Sequence, residues 1–232
     1  MSEALEKTKT VEFLPIFPLP LVLLPGELLP LHIFEPRYRE MLSDIEAKDR
    51  LFGITLFEPG SDPEERPAEG SVGCVAELRE VQPLPEGRSN ILTKGLIRYR
   101  IEHYHDAGKA YLTAKVHFFE DEDDDQPEVK QGAEEIYLLF ERVAKAAFDL
   151  SGNRGRFPAV QRTDPERLSF VVTAAFNLEN ERKYELLELT STLDRFERLR
   201  SILESSVERM EESAATHKAA QTNGHSNRKI DI

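Results

Sequence analysis

Three histidines offer the first hint of chemistry in the 232-residue chain. His103 and His105 stand two residues apart, which on a strand puts both side chains on one face, and a shared metal ion would suit that spacing. Such a site needs a further ligand, and His117 on a neighbouring strand-like run is the candidate; the plain alternative is three partly exposed histidines near hairpin ends. The single cysteine, Cys74, lies in the apolar run Val72-Gly73-Cys74-Val75-Ala76. With no activating base nearby in sequence, it reads as a small buried hydrophobe rather than a nucleophile. Lys94, Arg98 and Arg100 could form a basic stripe; Arg98 and Arg100 share a strand face on which an anion or an RNA backbone could lie. The acidic run from Glu120 to Asp125 would suit a metal or a basic partner, but reads first as a solvated linker.

The recognised catalytic patterns are missing. The one Gly-Lys pair, Gly108-Lys109, is followed by Ala110, and His103 occupies the place of the first glycine of a phosphate-binding loop. No nucleophile elbow and no dinucleotide fingerprint occurs, and one cysteine does not support a zinc site. The expectation is a non-enzyme with no metal and no cofactor.

Composition sets the frame for these residues. Hydrophobic residues make up 40% and charged residues 31%, a globular balance. The net charge of −13 disfavours nucleic acid and anionic lipid as partners. A lone cysteine fits a reducing compartment, so the expected location is the cytoplasm. The greasiest stretch, Leu14 to Phe34, carries Pro15, Pro18, Pro20, Pro25 and Pro30, which deny it the continuous helix a membrane span requires.

The elements that would position any site follow from periodicity. Short buried strands and turns are predicted up to Phe34, with Pro25-Gly26 as a turn and a strand from Leu28. Pro36 opens a helix whose Tyr38, Met41, Leu42 and Ile45 recur at helical spacing. Strands are predicted at Leu51–Phe57, Val72–Val81, Ser89–Thr93, Leu96–Tyr104 and Ala110–Phe119. Ile97, Tyr99 and Ile101 alternate with Arg98, Arg100 and Glu102, giving one buried and one wet face. Closely spaced strands with turn signals suggest a small closed or half-closed barrel. Beyond the acidic run the period becomes helical: Ile136, Leu139, Phe140, Val143, Ala147 and Phe148 mark one face. Thr163-Asp164-Pro165-Glu166 reads as a capping box, and Leu193 to Met210 as a long amphipathic helix. The fold class is therefore α+β: a β-rich subdomain at 11–120, a helical subdomain at 121–212, and a polar tail at 213–232 read as disordered.

The ordered set of motifs resembles a known family. Leu14-Pro15-Ile16-Phe17-Pro18-Leu19, then Leu24-Pro25-Gly26-Glu27-Leu28-Leu29-Pro30-Leu31-His32-Ile33-Phe34-Glu35-Pro36-Arg37-Tyr38, resembles the opening of the Lon protease N-terminal domain. Gly70 to Ala76, Leu84 to Ile101, Tyr111 to Val116, Glu185 to Leu189 and Arg195 to Leu199 follow in that family's order. The resemblance runs from about residue 11 to 205. It implies a PUA-like β-barrel followed by a helical bundle, and a role in engaging polypeptide substrate. Neither the ATPase nor the Ser-Lys protease module of the full proteases is expected in this chain. The reading is a polypeptide- or protein-binding module that could serve as an adaptor or regulator of proteolysis, with Leu21, Val22, Leu23, Leu24, Phe34 and Tyr38 as the binding surface or, alternatively, barrel core. RNA binding through Arg98 and Arg100 is the second hypothesis. Oligomeric state is not legible.

Overall fold

Proline shapes the first strand. The computed structural model describes residues 2–60, 66–122, 126–151 and 160–223. Strand β1 (Leu14–Leu19) pairs antiparallel with a later strand through Leu14–Ile16 and parallel with another through Ile16–Leu19. Only Ile16 is therefore paired on both sides. Pro15 and Pro18 each lie where one side of the strand is open, the one place a residue without an N–H does no harm.

The sheet holds six strands: β1, β2 (Leu28–Ile33), β3 (Leu51–Leu56), β4 (Val72–Pro83), β5 (Ser89–His105) and β6 (Leu112–Phe119). Their order is β2-β5-β4-β3-β1-β6, and β6 pairs again with β5. The pairings β5-β4-β3-β1-β6 thus return to their start, and β2 hangs on the first half of β5. Inside, Leu14, Ile16, Leu51, Val75, Ile97, Tyr99, Ile101 and Ala114 form one apolar cluster. The fully buried Tyr99 hydroxyl meets the Thr55 hydroxyl at 2.5 Å. A Cβ on Gly53 or Gly73 would fall on the Tyr99 ring, so the ring needs both glycines.

The sequence suggested two strands at 89–104, but the structure has one. Lys94 and Gly95, left between the two predicted strands, continue it. A Cβ on Gly95 would lie 2.1 Å from the Leu24 carbonyl oxygen, so this glycine serves close backbone approach. Helix α1 (Glu3–Thr8) precedes the sheet, and α2 (Pro36–Glu46) follows β2. The helix α2 buries Tyr38, Met41, Leu42 and Ile45, as its spacing predicted, with Phe17, Phe52 and Ile54 among their neighbours. Asp44 on its far side accepts from the Tyr111 hydroxyl at 2.7 Å and pairs with Lys109 at 2.8 Å.

The helical part contains α3 (Pro127–Leu150), α4 (Pro165–Ala175), α5 (Asn180–Glu188) and α6 (Thr192–Asn223). The chain divides into two compact units, one of Met1–Glu122 with Phe170–Ser191 and one of Asp123–Ser169 with Thr192–Ile232. Set beside the expected division at 120/121, the first unit also takes in the segment 170–191. In the second unit α3 packs on α6, and Gly132 lets Phe196 approach to 3.1 Å of its Cβ position. The buried face of α3 is Val129, Gly132, Ile136, Tyr137 and Val143. Ala147, expected on that face, is exposed. Helix α4 is capped by Asp164, one residue later than a box headed by Thr163: its carboxylate accepts the Arg167 N–H at 2.8 Å. Helix α6 continues to Asn223, through positions expected to lack structure, and 224–232 lie outside the described residues.

Candidate polypeptide-binding surface

The entrance to β2 is fixed by a clasp. In Leu24-Pro25-Gly26-Glu27 the Glu27 N–H donates to the Leu24 carbonyl at 3.1 Å, and Gly26 has φ +85°. Proline then glycine at the two central positions, with positive φ at the second, makes a type II turn. The Glu27 carboxylate accepts the Leu24 N–H at 3.0 Å. Gly26 donates to the Gly95 carbonyl at 2.9 Å, and Gly95 donates to the Glu27 carbonyl at 2.8 Å.

This clasp decides which way β2 faces. Glu27 turns its carbonyl toward β5, so by strand alternation Leu29, Leu31 and Ile33 do the same. The backbone groups of Leu28, Pro30 and His32 then point to the open edge, since β2 pairs with β5 alone. Pro30 has no N–H to lose there, and its ring blunts the edge against another strand. What β2 offers a partner is its face rather than its backbone.

That face carries large apolar side chains in the open. Leu28 and Phe34 are each 58% exposed, and Pro30 and His32 between them are exposed. Leu29 and Leu31 pack partly on the core and Ile33 is buried. The exposed row Leu28-Pro30-His32-Phe34 spans six residue steps, about 20 Å. His32 meets Asn90 across the ladder at 2.8 Å, and its ring lies 5.9 Å from that of Phe34. Lys94, Leu92 and Asn90 stand opposite Leu28, Pro30 and His32 on β5. The row can hold apolar side chains of an extended partner.

Of the six side chains expected at the binding surface, the structure leaves Phe34 in the open. Leu21 is half-buried, and Val22, Leu23, Leu24 and Tyr38 are buried. Leu23 and Tyr38 lie in the core that α2 shares with the sheet, and Val22 and Leu24 are covered by Phe170 and Leu187, so in this conformation they touch no partner. Leu28, Pro30 and His32 were not expected in the open, because a largely apolar run reads as buried. Pro30 was the available signal, because proline within a strand marks an edge.

The remaining chemical candidates take structural places. Burial pushes the Cys74 thiol up to about 12. His103 and His105 are exposed, His105 stacks on Phe13 at 4.1 Å, and a bulge between Ile101 and His103 interrupts the ladder. His103 lies opposite Lys115 and His117 opposite Arg100, and no metal-holding group of three such residues occurs among the described residues. Lys109 is held by Asp44 and Glu40.

Arg98 overturns the expectation of a wet, basic strand face. It is 1% exposed, pairs with the buried carboxylate of Asp121, and donates to the carbonyls of Leu187 at 3.2 Å and Leu189 at 2.5 Å. Its guanidinium lies over Phe119 at 4.6 Å and Phe170 at 5.2 Å. Arg100 remains at the surface on the Gly70 carbonyl, so no stripe exists for RNA. Within the acidic run Glu120–Asp125, Asp121 is a buried partner rather than part of a solvated linker, Glu122 is exposed, and 123–125 lie outside the described residues.

A family model described as the ATP-dependent protease La (LON) substrate-binding domain matches residues 13–205. The chain belongs to that family. Among curated LON relatives, the Lon protease of Endomicrobium trichonymphae is 23% identical over 208 residues, covering 87% of this chain and 25% of the relative. That of Rhizobium meliloti (strain 1021) is 25% identical over 195 residues, covering 83% and 24%. The chain thus spans about a quarter of the length of the curated relatives it matches. Two solved LON structures share the fold. The Lon N-terminal domain protein from Xanthomonas campestris has a TM-score of 0.60 at 22% identity, covering 82% of this chain and 98% of that one. The N-terminal domain of Mycobacterium avium complex Lon protease has a TM-score of 0.62 at 21% identity, covering 83% and 98%. No helix among the described residues is long and apolar enough to cross a membrane.

Proposed function

We propose that this chain is a non-catalytic module that binds polypeptide through the outer face of β2. The observation that carries the reading is the row Leu28-Pro30-His32-Phe34, whose two largest apolar side chains are each 58% exposed beside a strand edge that Pro30 blunts. An isolated exposed leucine means little, but Leu28, Pro30 and Phe34 exposed along one clasped segment mark a contact surface. Alternate side chains at about 7 Å repeat match those of an extended, unfolded segment. Membership of a substrate-binding family supports polypeptide as the partner. The ring of strand pairings is in keeping with a PUA-like barrel, and the packing of α3 on α6 with a helical bundle. We propose further that the module acts on proteolysis as an adaptor or regulator, which its family supports.

Fluorescence anisotropy with a labelled, permanently unfolded polypeptide tests this. Saturable binding to the folded protein, with none to the same polypeptide's native form, is expected. Equal and negligible binding of both forms would remove the proposal.

A further inference from the structure

The first unit contains a second apolar patch that already has an occupant. Val22, Leu24 and Val72 form one cluster with Phe170 and Leu187, all within 6% exposure. The last two belong to the segment 170–189, which lies across the sheet as a strap. Phe170 comes from the middle of α4 and Leu187 from α5.

Polar contacts fasten the strap, among them three that use a main-chain group on one side. The Asn180 side-chain amide donates to the Pro20 carbonyl at 2.9 Å. The Val72 N–H donates to the Tyr184 hydroxyl at 3.0 Å. Arg98 donates to the Leu187 and Leu189 carbonyls. A strap that left would uncover an apolar patch rimmed by one carbonyl, one N–H and one guanidinium. A peptide main chain supplies the matching donor and acceptors. The covering helix α5 has nine residues and no side-chain cap, too short to hold its shape by itself.

Arg98 makes such opening affordable. Its charge is paired with Asp121, which is not part of the strap, so departure of the strap leaves no unpaired charge behind.

We propose that the strap 170–189 is a displaceable stand-in for substrate, and that the patch of Val22, Leu24 and Val72 is a covered second polypeptide site, with Phe170 and Leu187 occupying the places of substrate side chains. This rests on the polypeptide-binding reading. It gives Val22 and Leu24 a binding role conditional on strap release.

Hydrogen exchange on the full chain, free and with reduced, carboxymethylated α-lactalbumin, tests it. In the free protein, amides of 176–189 should exchange at least about tenfold faster than those of β3 and β4. The added polypeptide should speed exchange across 170–189 and slow it at Val22, Leu23 and Leu24. The double variant Asn180→Ala with Tyr184→Phe, if its unfolding transition is retained, should bind the polypeptide several-fold more tightly. A strap exchanging in step with the strands would overturn the proposal. So would bound polypeptide that leaves these amides unchanged, though the β2 surface would then stand alone. Failure of the polypeptide to bind at all would remove both.

Discussion

Replacing Arg98 with methionine should be among the costliest single changes in the sheet unit. The side chain is fully buried and holds a carboxylate, two carbonyls and two aromatic faces at once. Methionine keeps most of the volume, so the loss is electrostatic. Asp121, whose side chain has no exposure, would be left as an uncompensated buried charge, which costs about 3–5 kcal/mol. The two carbonyls lose a charged donor, each worth about 1.5–3 kcal/mol when made, although these sums overlap and do not add. We expect a net loss of about 4 kcal/mol. With a urea slope of about 2–3 kcal/mol/M, the midpoint should fall by about 1.5–2 M. Urea unfolding followed by circular dichroism measures this, the chain having no tryptophan. Asp121→Asn combined with Arg98→Met should cost less than the two single changes summed, with a coupling of about 2 kcal/mol. A loss below about 1 kcal/mol, the size of a surface ion pair, or strict additivity of the two changes, would refute the reasoning.

Other predictions concern single groups. The Cys74 thiol should resist an aromatic disulfide at pH 8 in the folded protein and react fully in urea, because burial raises it to about 12. Its contribution to stability is complete below the ordinary thiol value of about 8.5 and is lost as pH climbs from there toward about 12; the urea midpoint across that range reads it. Hydrogen bonds from Lys109 and then Tyr111 hold the Asp44 carboxyl below the usual range. Its small contribution is present above the ordinary aspartate value and lost as pH falls through the depressed one, and Lys109→Met should move its carbon-detected titration upward. Gly95→Ala should lower stability by about 1–3 kcal/mol and loosen β2, since the new Cβ meets the Leu24 carbonyl oxygen at 2.1 Å; thermal melting and exchange at Leu28–Ile33 report the two effects.

Where one principle decides an element, it could be read in advance. Pro36 and four apolar residues at helical spacing placed α2 and its buried face correctly. Positions settled by what lies across from them could not. Strand alternation separated Arg98 from Tyr99, but which face is wet depends on Phe119, Phe170 and the end of α5, distant in sequence. Gly95 falls between two predicted strands until Leu24 is seen against it. Which of two neighbouring apolar runs stays in the open was hidden for a similar reason. Leu21 to Leu24 and Leu28 to Phe34 are both largely apolar, and their composition does not say which side chains the turn folds inward. Beyond Met210 helix formers carry α6 onward without any apolar period to announce it.

The most direct measurement is the affinity of the Leu28→Ser with Phe34→Ser double variant for an unfolded polypeptide. Both side chains are mostly in solvent, so the melting temperature should hold while affinity drops by at least about tenfold, roughly 1.4 kcal/mol. Undiminished affinity in a stably folded variant would contradict the claim that β2 presents the binding face.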